Sequence, residues 1–325
     1  MLRRTAAMAL AIVGLCVVTA PVRGQQYPNR TVAIIVPYPA GGPTDQVGRV
    51  LAQALSEKLK QTFIVEDISG GGTTIATHRV ARAAPDGYIL LLHNLQISAN
   101  VSLYKNLPFD TERNLTPIMF INHDPLVLVG RQTLEANTLA ELIAMMRRQR
   151  LKFATPGVGA TGHLATALLA QEAGVSVDLI PYRGAAPALQ DVLGGHVDLF
   201  FATPQSVVKQ VAAGQMKAYG ITASEKSPDF PSAESFVKVF GPKLQILYWH
   251  ALFAPAGTPD SIIQLLNANL QEVVDDPVIL KNWAETGVAP YPKDQRTPAA
   301  ARSMLRSEVE RWSEVIRANH IQGPE

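Results

Sequence analysis

The chain has almost none of the thiols that disulfide and metal–thiolate chemistry use. Its 325 residues include one cysteine, Cys16, so no disulfide staples it and no cysteine pair holds a metal. The seven histidines, at 78, 93, 123, 163, 196, 250 and 320, show no H-x-x-x-H spacing, which speaks against zinc. No G-x-S-x-G elbow occurs, and the glycines at 70–72 lack the lysine of a phosphate-binding loop. No Lys/Arg cluster offers a footprint for nucleic acid. Repeats, low-complexity tracts and coiled-coil heptads are missing too. These absences predict no catalytic centre, no cofactor, no metal and no nucleic-acid partner. A Ser/His/Asp triad assembled from distant positions is the catalytic arrangement they leave open.

What is present begins with a basic head, Met1-Leu2-Arg3-Arg4, and an uncharged stretch over residues 6–22. That is the pattern of a secretory signal peptide, and the run falls short of the ~20 residues of a membrane span. An uncleaved anchor is the alternative. The expected leader is residues 1–24, removed on export. It carries Arg3, Arg4 and Arg23, so 26 of the 29 basic side chains remain against 27 acidic ones. Cys16 leaves with it. The remaining length suits two lobes held by burial alone.

The hydrophobic pattern alternates between two periods. Residues 31–36 form a continuous apolar run, as a strand covered on both faces does. Residues 44–60 then place Val47, Val50, Leu51, Ala54, Leu55 and Leu59 on one helical stripe. Strand-like 63–65, a helix at 75–83 and a strand at 88–92 complete a β-α-β-α-β order, which predicts a mostly parallel sheet. The pattern repeats from strand 126–129 through helix 138–150, with Thr138 as N-cap, and strand 152–155. Helix 163–173 closed by Gly174, strand 177–180, helix 187–193, strand 197–202 and a helix opened by Pro204 follow. Strand 217–222 ends the repeat. The C-terminal part reads as helical, with a start at Thr258-Pro259-Asp260 and a last stripe of Leu305, Val309, Trp312 and Ile316. It is expected to pack back onto the first lobe.

Several loops carry candidate chemistry. Val36-Pro37-Tyr38-Pro39-Ala40-Gly41-Gly42-Pro43-Thr44-Asp45 joins a strand to a helix and aims free backbone N–H groups at the crevice beyond the strand ends. Such a turn suits an anion; a plain strand-to-helix turn is the alternative. Gly157-Val158-Gly159-Ala160-Thr161-Gly162 matches G-x-G-x-x-G, with Asp178 21 residues beyond Gly157. Pro156 and the placement of Asp178 inside a strand weigh against a dinucleotide fingerprint. The more economical reading is a second anion cradle, with the hydroxyls of Thr155 and Thr161 beside the helix at His163. Arg183 supplies a cation at the mouth of the crevice or is a solvated surface residue. Thr203 is a donor or a simple N-cap.

Together these segments resemble the periplasmic substrate-binding receptors of the tripartite tricarboxylate transporter systems, the Bug receptors. The matching stretches are Tyr27-Pro28-Asn29-Arg30, the Val36 to Gly42 loop with Asp45, Pro85-Asp86-Gly87-Tyr88, Leu103-Tyr104, and Gly159 through His163-Leu164-Ala165. They continue with Pro181-Tyr182-Arg183-Gly184, Gly194-Gly195-His196-Val197-Asp198 and Ala254-Pro255-Ala256-Gly257-Thr258-Pro259. Their shared order over about 230 residues makes the combination specific.

The resemblance implies an α/β, two-lobed periplasmic binding protein of type II-like form, each lobe a mostly parallel sheet flanked by helices, with the ligand in the cleft between. Lobe 1 is expected at 25–124 plus 247–325 and lobe 2 at 125–246. By position, Tyr38, Ala40, Gly41, Gly42 and Asp45 in the first lobe and Thr155, Gly159, Thr161, His163, Arg183 and Thr203 in the second hold a small carboxylate, partly through ordered water. Asn94 falls at a variable crevice position. Ser69-Gly70-Gly71-Gly72-Thr73-Thr74 replaces an Arg-Pro-Gly-Ala-Gly-Gly-like run, and Ala167 stands where many relatives have an acid, so the ligand is open. The implied protein is a monomeric, non-enzymatic periplasmic receptor whose partners are membrane transporter subunits. A secreted α/β enzyme with a nucleotide on the Gly157 loop, and a ligand sensor for a signalling partner, are the alternatives.

Overall fold

The computed structural model describes residues 27–285, 287–319, 321 and 323. The expected leader and Cys16 lie outside them. Among the described residues no helix is long and apolar enough to cross a membrane.

The chain lays down β1 (Val32–Val36), α1 (Pro43–Leu59), β2 (Phe63–Asp67), α2 (Thr74–Ala81), β3 (Ile89–Asn94), α3 (Gln96–Leu103), α4 (Thr111–Asn114) and β4 (Leu115–Pro125). It then builds β5 (Val127–Arg131), α5 (Leu139–Arg148), β6 (Lys152–Thr155), α6 (Thr161–Ala173), β7 (Asp178–Pro181), α7 (Ala185–Leu193), β8 (Leu199–Ala202), α8 (Pro204–Ala212), β9 (Met216–Ile221), β10 (Glu234–Ser235) and α9 (Phe236–Phe240). It returns through β11 (Leu247–Pro255), α10 (Asp260–Val274), α11 (Pro277–Ala284), β12 (Ala289–Pro290) and α12 (Pro298–Ala318).

Two six-stranded sheets result, with orders β12-β4-β11-β3-β1-β2 and β10-β9-β5-β8-β6-β7. Each contains the parallel unit that the alternating pattern predicts: β3-β1-β2 in one, β8-β6-β7 in the other. Each also takes antiparallel strands at its centre, β11 between β3 and β4, and β5 between β8 and β9. The sheets are therefore mixed. The added strands are those next to the two crossings between sheets, at Leu126 and before Leu247.

Local chemistry explains the element ends. Thr138 caps α5 by accepting from Glu141 N–H at 3.2 Å. Gly174 closes α6 in the left-handed conformation, φ 63°. At the start of α10 the expected cap shifts: the helix begins at Asp260, and the Thr258 hydroxyl donates to Pro255 O at 2.8 Å instead.

Separate apolar clusters fill each lobe, one around Ile34, Leu51 and Leu266, another around Val129, Phe200 and Val207. A third runs through both lobes and includes Leu95, Leu128, Phe201, Trp249 and Trp312. Burying each such side chain contributes about 1.5–3 kcal/mol. Leu305, Val309, Trp312 and Ile316 form the buried stripe of α12, as their spacing predicts. This helix packs on α3 and β4, and Arg311 Nη2 donates to Gln245 O at 2.6 Å beside the second crossing. The two crossings are tied by one residue. Buried Thr222 accepts from Leu126 N–H through Oγ1 at 2.8 Å and donates to Ile246 O at 2.6 Å.

Candidate functional site

The parallel strands of both lobes point their carboxyl ends at one crevice, where an open α/β sheet binds ligands. A cavity with about 650 Å³ of empty space, its mouth included, lies there. Four helices begin on its wall: residues 42–44 of α1, 160–162 of α6, 184–187 of α7 and Thr203 at the head of α8 all line it. None of the four has a side-chain cap. By contrast α5, α11 and α12 are closed by Thr138, Asp276 and Thr297. The first N–H groups of a helix lack internal partners, and its dipole places partial positive charge there. Prolines at the first position of α1 and α8 fix the backbone with no N–H to lose. Arg183 is the single charged side chain among the described lining residues.

The lobe 1 floor is a hydrogen-bond network in which buried Asn122 Nδ2 is left without a partner. Tyr38 Oη donates to Asn94 Oδ1 at 2.7 Å, and Asn94 Nδ2 donates to Tyr248 Oη at 2.8 Å and Thr44 Oγ1 at 3.2 Å. Asn122 Oδ1 can only accept, so His250 Nδ1–H donates to it at 2.8 Å. His250 Nε2 is then left to accept from Thr44 Oγ1 at 3.2 Å. Tyr248 must consequently donate to Thr44 across 3.0 Å. Burial keeps His250 neutral, its pKa pushed down to about 3. Burial also raises the Tyr38 and Tyr248 phenols, so both stay protonated. Gln96 joins the lobes, its Nε2 donating to Val158 O at 3.2 Å.

Of the residues expected at the site, Tyr38, Ala40, Gly42, Asn94, Thr161, Arg183 and Thr203 meet on this cavity. Thr161 is the most telling, because its Oγ1 is buried and has no partner. Buried Asp45 stands one layer back, and exposed Gly41 lines a neighbouring hollow with Gln46 and Ser206. Asp45 Oδ2 accepts from Gly41 N–H at 2.7 Å, and its other oxygen meets Arg49 at 2.8 Å. This carboxylate therefore shapes the loop and does not line the cavity. Thr155 and His163 open on a different hollow, beside Asn319 and Ile321 at the end of α12. Gly159 N–H donates to His163 Nδ1 at 2.9 Å, and a Cβ on Gly159 would come within 2.2 Å of Leu103 in the other lobe. These three residues hold the loop and its contact across the crevice. Helical rotation separates their roles, since Thr161 and His163 point about 200° apart.

Asp178 opens β7 at its amino end and pairs with Arg150 at 2.7 Å, which leaves the Gly157 loop without a ribose acceptor. Thr44, Gln96, Leu126, Phe200, Phe201 and Tyr248 line the cavity without having been singled out from sequence. Proximity of Thr44 and Gln96 to the glycine loop and to Asn94 was a usable signal. Nothing local marks Tyr248, which arrives on β11 from 154 residues beyond Asn94.

Residues 47–321 match the tripartite tricarboxylate transporter family receptor, TctC. Protein BugT of Bordetella pertussis (strain Tohama I) is 33% identical, over 95% of this chain and 96% of that one. The solved periplasmic binding protein BugD superposes with TM-score 0.86 at 32% identity, covering 92% of this chain and 100% of that one. MatC of Rhodopseudomonas palustris, solved with bound malate, gives 0.83 at 31% identity, with coverage of 89% and 100%. A crevice lined by glycine-bearing helix starts, on two crossed-over sheets that superpose this closely, has one reading: the chain belongs to the tripartite tricarboxylate transporter receptor family.

Proposed function

We propose that this chain is an exported periplasmic receptor that captures a small carboxylate between its lobes and presents it to membrane transporter subunits. The observation that carries the reading is the cavity wall itself: four uncapped helix starts, one arginine, an unpartnered buried threonine hydroxyl and no acidic side chain. Every one of those groups favours an anion. The malate bound by MatC supports the class. Tyr38, Ala40, Gly42, Asn94, Thr161, Arg183 and Thr203 make the direct wall, and Gly41, Asp45, Thr155, Gly159 and His163 keep the loops in shape.

Charge-assisted hydrogen bonds contribute about 1.5–3 kcal/mol each, so four or five support micromolar capture, about 8 kcal/mol, after ordering costs. Residues 25–124 with 247–325, and 125–246, move as two bodies about the Thr222-tied crossings. Capture without turnover is supported by the floor chemistry. His250, the floor's imidazole, is buried behind Thr44 and Asn122 and burial lowers its pKa to about 3, which makes it a weak base near neutral pH. A single protein molecule suffices for such closure, and a monomer is expected.

Calorimetry against aliphatic, amino-acid and aromatic carboxylates tests this. Binding to at least one acid is expected, with no product formed, and Arg183→Gln should weaken it roughly 10–100-fold, the worth of one charge-assisted bond. Binding of neutral sugars or cations, with no carboxylate bound, would end the proposal.

A further inference from the structure

Closure of two lobes needs contacts that form as the crevice shuts and part as it opens. Gln96, the first residue of α3 and 3% exposed, makes such a contact. Its Nε2 faces two carbonyls, Gly72 O of lobe 1 at 3.3 Å and Val158 O of lobe 2 at 3.2 Å. Carbonyls only accept, so the amide is fixed with its two hydrogens toward them and its oxygen toward Tyr38 Oη, 3.1 Å away. One side chain thus connects the cavity floor to the Gly157 loop across the crevice. Gln96 lines both the cavity and a hollow outside it, which is walled by residues 69–73, Tyr104 and Tyr182. Pro39 and Gly184 line both as well, and a Cβ on Gly184 would come within 3.3 Å of Pro39. Gln96 and this pair therefore stand in the partition between the two spaces, where lobe 1 meets lobe 2. Neither partner of the amide is stranded when the lobes part. Gly72 O keeps Asn100 Nδ2 at 3.0 Å, and half-buried Val158 lines the outer hollow, where water can replace the amide.

We propose that Gln96 is a positioning residue for capture, a latch that draws the lobes together before any ligand arrives; this rests on the two-body closure given above. The latch uses no atom of the ligand, so it raises the closed population of the empty protein itself. A ligand then meets a site part of whose closing is already done, and its apparent affinity scales with that population. Because the bond is neutral and each partner is satisfied in both states, the latch also releases, which a receptor that must give up its ligand requires.

The experiment is a distance measurement on the empty protein. The described residues contain no cysteine, so Gln53→Cys on α1 and Gln190→Cys on α7, both exposed positions, carry one spin label on each lobe. Pulsed electron–electron resonance is expected to show a short-distance population in the labelled protein that keeps Gln96. Gln96→Met, which keeps the length and removes the donor, should lower the closed-to-open ratio about 3–10-fold, the worth of one net hydrogen bond. Gln96→Leu should do the same with a second apolar shape. Tyr104→Phe is the control: its hydroxyl donates to Gly71 O at 3.0 Å within lobe 1, so its loss should leave the ratio unchanged. Urea midpoints establish that each variant is folded. An unchanged ratio in the Gln96 variants overturns the latch. An equal shift in Tyr104→Phe, or no short-distance population where Gln96 is kept, overturns it too. No ligand is present in this measurement, so its failure leaves the carboxylate reading to the calorimetric test above.

Discussion

Replacing Glu308 with alanine is expected to destabilise the protein by about 2–5 kcal/mol, the penalty for leaving two buried donors unsatisfied. Glu308 Oε2 accepts from Trp249 Nε1 at 2.7 Å and from Trp312 Nε1 at 3.1 Å. Both indoles are buried, Trp249 on β11 and Trp312 on α12. The carboxylate thus fastens the strand that follows the second crossing to the C-terminal helix. Glu308→Gln keeps an acceptor oxygen and should lose less. Urea unfolding followed by tryptophan fluorescence and by circular dichroism measures the difference. A loss below about 1 kcal/mol for alanine would mean that the indoles find water or another acceptor, since a satisfied donor carries little penalty.

Acidification gives the second large effect. His93 and His250 are fully enclosed, and burial holds the pKa of each at about 3. His93 Nδ1 accepts from Asn94 N–H at 2.8 Å, so its Nε2–H faces Thr73 Oγ1 at 3.1 Å and the ring has no room for a second proton. In the unfolded chain each takes up a proton below about 6.5. Lowered folded values mean that the stabilisation is whole above that pH. It is lost as pH falls toward 3, by up to about 1.4 kcal/mol per pH unit for each histidine. Asp124 has the opposite sign. Burial raises its carboxyl well above 3.8, so its contribution is complete at low pH and is lost as pH rises through the folded value. It therefore offsets part of the histidine loss. The urea midpoint of the wild-type protein should fall between pH 6.5 and 4.5. Asp124→Asn, which removes the opposing group, should steepen that fall by up to about 1.4 kcal/mol per unit. Parallel profiles for the two proteins would show that Asp124 is already ionised in the fold.

The outline of the fold was readable because its signals are local. An apolar run such as Val32–Val36, or the Leu305-to-Ile316 stripe, declares its period within a few residues. β4 and β11 declare nothing of the kind. They are the longest strands, 11 and 9 residues, and both mix apolar positions with buried polar ones, Asn122 and Asp124 in one and His250 in the other. Their partners lie in distant parts of the chain, so neither alternation nor a turn signal marks the pairing. The same division holds in the cavity. Its glycine- and proline-bearing loops were visible, because such residues announce helix starts. The floor was not, because Thr44, Tyr248 and His250 meet across separations of 204 and 206 residues. The departure at 69–74 turns out to carry backbone strain: Thr73 takes φ 80°, unusual for a β-branched residue, with its hydroxyl held by His93 and Asn100.

The four open helix starts have a consequence for how such a receptor evolves. A serine or aspartate at 42 or 160, or a repacked hydroxyl at 203, would answer the N–H groups that now face the cavity, as Thr138 and Asp276 do for theirs. Each such change would make the empty protein sturdier and its ligand redundant by the same amount. At those positions ruggedness and capture compete for the same hydrogen atoms. Selection for a tougher protein must therefore act elsewhere, on the outer caps, the tryptophan clamp or the α12 stripe.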